Sequence, residues 1–109
     1  MDDETQRRIG GNEAAFRKLN ETLRAGKALA DAQRLFCFRC ECGVLGCNKL
    51  VELTLPEYEA VRAWPTRFVI IDGHEIPESE RVVERRERFS IVEKEGDGAR
   101  VAVDTDPRA

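Results

Sequence analysis

Cys37-Phe38-Arg39-Cys40-Glu41-Cys42-Gly43-Val44-Leu45-Gly46-Cys47 holds all four cysteines of the 109-residue chain. The spacing is C-x2-C-x-C-x4-C. Thiols crowded this closely point to one metal centre, because a divalent ion needs three or four soft donors at a common point. Two disulfides would consume the same thiols, but they belong to oxidising compartments. The N-terminal stretch Met1-Asp2-Asp3-Glu4-Thr5-Gln6-Arg7-Arg8 lacks the apolar segment of a secretory signal. No run approaches the roughly 18 apolar residues of a membrane span. The expectation is a cytoplasmic chain whose thiols are reduced or metal-bound. The Cys40-x-Cys42 step matches neither ferredoxin spacing, so one zinc ion per chain is expected rather than an iron–sulfur cluster.

Outward from the cluster, residues 35–40 alternate aliphatic or aromatic side chains with cysteines, and residues 50–54 are rich in Leu and Val. Together they predict a β-hairpin carrying the metal at its tip, with Gly43 and Gly46 supplying turns that aim backbone N–H groups at sulfur. Thr54-Leu55-Pro56-Glu57 is a capping-box pattern with an early proline, so a helix starts there and runs to about Trp64, before Pro65. Arg67-Phe68-Val69-Ile70-Ile71 predicts a strand that ends on the turn Asp72-Gly73-His74. Residues 81–84 and 89–94 predict shorter strands, possible partners in a hairpin across Arg85-Arg86-Glu87. A helical turn from Pro77 into Val82-Val83 competes with the first of them.

Toward the N-terminus, residues 12–25 predict an amphipathic helix with Asn12 as N-cap and Gly26 as its stop. Phe16, Leu19 and Leu23 form its inward stripe, while Arg17, Lys18, Glu21 and Arg24 face water. Gly10-Gly11 separates it from a flexible start at residues 1–11. Residues 27–33 are ambiguous. The tail, residues 95–109, is expected to be flexible or to add an edge strand at residues 100–103. The fold class is therefore α+β: a single small zinc-binding domain over residues 12–94. Its expected parts are an N-terminal helix, a metal-bearing hairpin, a central capped helix and a small sheet.

Composition limits function. Charged residues make up 36% of the chain and aromatics 6%, with a formal charge of −3. Three thiolates on one Zn²⁺ would bring that to about −4. An acidic chain with interleaved signs does not favour phosphate backbones or anionic membranes. A thin core of this kind commonly gains its stability from a metal. His74, the single histidine, follows a strand and is available to zinc. On spacing alone the ligand set is open between four cysteines and three cysteines plus His74.

Several motifs beyond the cluster recur together: Cys40-Glu41-Cys42-Gly43 with Cys47, Leu53, Glu57-Tyr58, Val61-Arg62, Pro65-Thr66-Arg67-Phe68, Gly73-His74-Glu75, Glu80-Arg81-Val82-Val83-Glu84-Arg85 and Ile91-Val92-Glu93-Lys94. With these, residues 12–94 resemble a family of small, uncharacterised actinobacterial proteins. The resemblance implies a site of Cys40, Cys42, Cys47 and His74. Cys37 lies outside the family pattern and stays as the alternative fourth ligand. The resemblance brings no activity with it.

No Walker loop, nucleophile elbow or dinucleotide fingerprint is present. A filled Cys3His shell leaves no position for water, so the chain is not expected to be an enzyme. Glu41 and Glu75, beside the ligands, are expected to be solvated. The leading expectation is a structural-zinc module that binds a protein partner or regulates one. The alternative is a zinc-dependent nucleic-acid-binding regulator using Arg34, Arg39, Lys49, Arg62 and Arg67. Less favoured is a thiol redox sensor in which Cys37 attacks an oxidised Cys40; a buried, inert Cys37 is the simpler expectation.

Overall fold

In the computed structural model, which describes residues 2–25, 32–44 and 46–108, the cysteine stretch bridges two antiparallel strands. β1 (Phe36–Arg39) and β2 (Leu50–Leu53) pair with Phe36 opposite Leu53 and Phe38 opposite Val51. The two-residue period turns Phe38, Val51 and Leu53 into the core and leaves Cys37 and Glu52 on the outer face. The ladder runs one step past β1, with the Cys40 N–H donating to Lys49 O at 3.0 Å.

Thr54 then caps α2 (Leu55–Arg62). Its hydroxyl accepts from the Glu57 N–H at 3.2 Å, and the Glu57 carboxylate accepts from the Thr54 N–H at 2.8 Å. Helix α2 stops at Arg62, two residues before the expected Trp64. Tyr58 projects back onto the hairpin, and its ring stacks on Phe38 at 4.5 Å between centroids, with planes 2° apart.

β3 (Arg67–Ile70), β4 (Glu80–Arg85) and β5 (Ser90–Lys94) form an antiparallel sheet in the order β3-β5-β4. Apolar packing covers both its faces, which is why Phe68-Val69-Ile70 reads as an unbroken apolar run. Val69 and Ile91 join the core built on Phe38, Val51, Leu53 and Tyr58. Phe68, Ile70 and Val92 join a second cluster with Cys40, Cys42 and Ala102. Successive strand residues face opposite ways, so Val83 packs on the first core and Val82 on the second, and the register between β4 and β5 shifts between Val82 and Glu84. The helical turn expected from Pro77 ends at Ser79, and the strand begins at Glu80.

Both ends of the chain differ from expectation. Where a flexible start was expected, α1 (Asp3–Ala25) is helical from Asp3, and the Asp2 carboxylate, not Asn12, accepts from the first turn, taking the Thr5 N–H at 2.7 Å. Gly10 sits inside this helix because a Cβ there would lie 3.3 Å from Gly98 Cα and 3.3 Å from Val101 Cβ. Residues 100–103, expected as an edge strand, are helical instead. They belong to α3 (Gly96–Asp104), whose buried Gly98 and Ala102 lie on the helical i, i+4 spacing. The expected helix stop at Gly26 and the ambiguous residues 27–31 lie outside the described residues.

The inward face of α1 is polar rather than the apolar stripe expected. Leu19 is 43% exposed, whereas Gly10, Glu13, Arg17 and Asn20 are buried. Arg17, expected in solvent, donates to Pro65 O at 2.6 Å and Ala102 O at 2.7 Å, and its guanidinium lies 4.6 Å above the Phe68 ring. Those carbonyls end a loop and a helix and need donors that an apolar stripe would not supply.

Candidate metal centre

Three chain segments converge on one point. Cys40 and Cys42 come from the turn leaving β1, Cys47 from the turn entering β2, and His74 from the turn after β3. One ligand atom from each lies within 4.8 Å of every other. Cys40 Sγ is 3.5 Å and Cys47 Sγ 3.9 Å from His74 Nδ1. Tetrahedral zinc, with Zn–S about 2.3 Å and Zn–N about 2.0 Å, sets neighbouring donors roughly 3.5–3.8 Å apart. The donor chemistry and the spacing both fit that ion. Cys40 and Cys42 are wholly buried, and Cys47 and His74 are half-buried.

Local backbone explains the convergence. Gly43, Gly46 and Gly73 each adjoin a ligand and each adopts positive φ. Gly43 is the constrained one: at φ +75 a Cβ would stand 2.5 Å from Glu13 Cγ. The Cys47 N–H donates to Val44 O at 3.0 Å, and Cys47 O accepts from Arg39 at 2.7 Å. The Ile71 N–H donates to Cys40 Sγ at 3.3 Å, an amide–sulfur bond that stabilises a thiolate. The His74 N–H closes its turn on Ile71 O at 3.0 Å. Arg85 on β4 clamps that turn from both sides, pairing with Asp72 and with Glu75 at 2.8 Å.

The thiols act as a set. A hydrogen bond from Cys40, joined by bonds from the Val44 amide, His74 and Cys47, pulls the Cys42 thiol down to about 4 despite burial. The same shared bond, with burial, pushes Cys40 up. Donors that compete for protons in this way are poised to exchange them for a cation.

Cys37 is not part of this group. It faces solvent from β1 opposite Glu52, so it is not the buried filler expected of it. Glu41 also departs from expectation. It is wholly buried rather than solvated, accepting from the Val69 N–H at 3.0 Å and from Asn20 at 2.8 Å, and burial pushes its carboxyl up to about 7. Glu75 is occupied by Arg85. Asn20 and Glu13 support the site without any motif to reveal them, while Arg85 ends the Glu80–Arg85 motif, which by itself gave no sign of a role at the site. The available signal was the recurrence of Glu13, Arg17 and Asn20 at helical spacing, a polar stripe that an apolar pattern search passes over.

A cleft of about 370 Å³ between α2 and β5, lined by Pro56, Val61, Arg67, Phe89 and Ile91 among others, contains none of the four ligand residues. No helix among the described residues is long and apolar enough to cross a membrane. Comparisons with protein-family models, curated proteins and solved structures give no match to this chain.

Proposed function

We propose that this chain is a small cytoplasmic zinc protein, of the kind its motifs resemble, in which one ion serves structure and the surface serves a protein partner. The observation that carries the proposal is the convergence of three thiols and one imidazole, two of the thiols wholly buried. Cys40, Cys42, Cys47 and His74 would hold the ion, which would join the hairpin to the turn after β3. Four protein donors fill a tetrahedral shell and leave no place for water or substrate. The single histidine is then engaged, leaving no second imidazole to act as a base. These features favour a binding or regulatory module over a catalyst.

The arginines support a protein-facing surface over a nucleic-acid-facing one. Arg81, Arg85, Arg86 and Arg88 each pair with a carboxylate. Arg62 is buried against Glu21 and Asp106, and Arg39 turns to Cys47 O and stacks over Phe16 at 4.3 Å. A phosphate backbone requires cations free to displace its condensed counterions. Elemental mass spectrometry of protein purified without added metal tests the first half, with one zinc per chain expected. Affinity purification from native lysate and a two-hybrid screen test the second. Sub-stoichiometric zinc in a folded, chelator-resistant chain would remove the proposal.

A further inference from the structure

Residues 40–43 alternate between two destinations. Cys40 and Cys42 turn into the ligand group, while Glu41 and Gly43 turn to α1. Asn20 of α1 donates to the Glu41 carboxylate at 2.8 Å and to Arg39 O at 2.8 Å, and its own oxygen accepts from the Arg39 N–H at 2.7 Å. Both Asn20 and Glu41 are wholly buried. Eight residues earlier, Asn12 donates to Gly43 O at 3.2 Å, and Glu13 fills the space that a side chain at 43 would take. One helix therefore holds both ends of the Cys40–Cys42 step.

We propose that α1 sets the metal affinity of the site, with Asn20 and Asn12 as positioning residues, and that metal occupancy in turn tightens the docking of α1. This rests on the metal reading above. The physical argument is linkage. In an extended tripeptide, neighbouring side chains point to opposite sides, so orienting Glu41 toward Asn20 orients both cysteines away from it. Ordering that step in advance removes part of the entropy lost when a metal gathers its ligands. By reciprocity, whatever factor α1 adds to metal affinity, the metal adds to α1 docking. The polar stripe of α1 suits a linked element, since Glu13, Arg17 and Asn20 keep hydrogen-bonding partners in water when the helix loosens.

The test uses the full chain and zinc alone. Chelator competition on folded Asn20→Ala should give about 10-fold weaker zinc binding, the usual scale for groups that orient a ligand. Asn12→Ala, half-buried and gentler on the fold, should weaken it in the same direction, so the proposal stays testable if Asn20→Ala does not fold. Amide exchange on wild type should show zinc removal loosening residues 3–25 together with 40–44, while β5 stays protected. Unchanged zinc affinity in folded variants overturns the proposal. So does metal removal that leaves α1 protected, or that opens the whole chain at once. A wild type that takes up no zinc fails at the first step and ends the metal reading itself, before any variant is compared.

Discussion

Lys94 Nζ lies 2.9 Å from Glu13 Oε1 and 3.0 Å from Glu80 Oε1, with all three side chains wholly withdrawn from solvent. Lys94 also donates to the Ser79 hydroxyl at 3.0 Å. One ammonium therefore faces two carboxylates. The lysine stands beside Glu13 without being aligned for a hydrogen bond, so neither Glu13 oxygen has a directed donor. Burial, followed by the charge of Glu80, raises the Glu13 carboxyl well above 4.5 even though Lys94 opposes the shift.

A raised carboxyl destabilises the fold as pH increases. Below 4.5 Glu13 is protonated in both states; above it the unfolded chain ionises first, and stability is lost until the folded carboxyl ionises too. Glu13→Gln removes that dependence. Thermal melts should show the variant gaining on wild type between pH 5 and pH 8, and a constant difference would show that Glu13 does not retain its proton. Lys94→Met should cost about 3–5 kcal/mol in denaturant unfolding at neutral pH, because it leaves the buried Glu80 carboxylate without its cation.

Arg108 produces the opposite limb. Its hydrogen bonds hold the Glu59 carboxyl below 4.5, and with Arg62 they bring Glu21 below that value against its burial. Stability from these pairs is present above 4.5 and is lost as pH falls through the depressed values. Arg108→Ala should cost about 1 kcal/mol at pH 7, given the partial exposure of the pairs. The deficit should shrink below about pH 4 in urea titrations. A deficit that grows with acidity would contradict the assignment.

The four proposed ligands and Cys37 should behave as opposites. Cys40→Ser, Cys42→Ser, Cys47→Ser and His74→Ala should each lose zinc and lower the melting temperature, with α1 and residues 40–44 loosening first, as read by elemental analysis and thermal melts. Cys37→Ala should keep both zinc and fold. Cys37 should also be the first thiol labelled by a disulfide reagent in the zinc-loaded protein. Peroxide should release zinc equally from wild type and Cys37→Ala, since the exposed sulfur on the outer face lies outside the ligand group. Slower release from the variant would give Cys37 a sensing role.

Two glycines separate conformation from packing. Gly11→Ala meets nothing within 4 Å and should stabilise α1 by about 0.5–1 kcal/mol. Gly43→Ala meets Glu13 at 2.5 Å with φ at +75, and should destabilise by about 2 kcal/mol or more. Equal effects in thermal melts would contradict both the contact and the backbone argument.

Local chemistry made the middle of the chain legible. The capping box at Thr54 and Glu57, the hairpin strands flanking the cysteines and the apolar run at Phe68-Val69-Ile70 are all settled by neighbours within a few positions. His74 could be listed as a candidate from its place after a strand, but its nearness to the cysteines depends on how β3 lies against the hairpin. The helices at the two ends were harder to read because they fit each other rather than themselves. Gly10 breaks a helix on propensity alone and becomes favourable only against Gly98, and Arg17 looks solvated until Pro65 and Ala102 present their carbonyls. Cys37 suits the interior by residue type, but its pairing with Glu52 sets it on the outer face of the hairpin.

The seam between α1 and the end of the chain also sets an order of events during synthesis. Arg17 reaches Ala102 across 85 positions, so the helix leaves the ribosome long before its partner exists. A leucine-lined helix would spend that interval exposing adhesive surface. Glu13, Arg17 and Asn20 leave the nascent segment water-compatible until translation has delivered residue 102, and only then does the fold close around it.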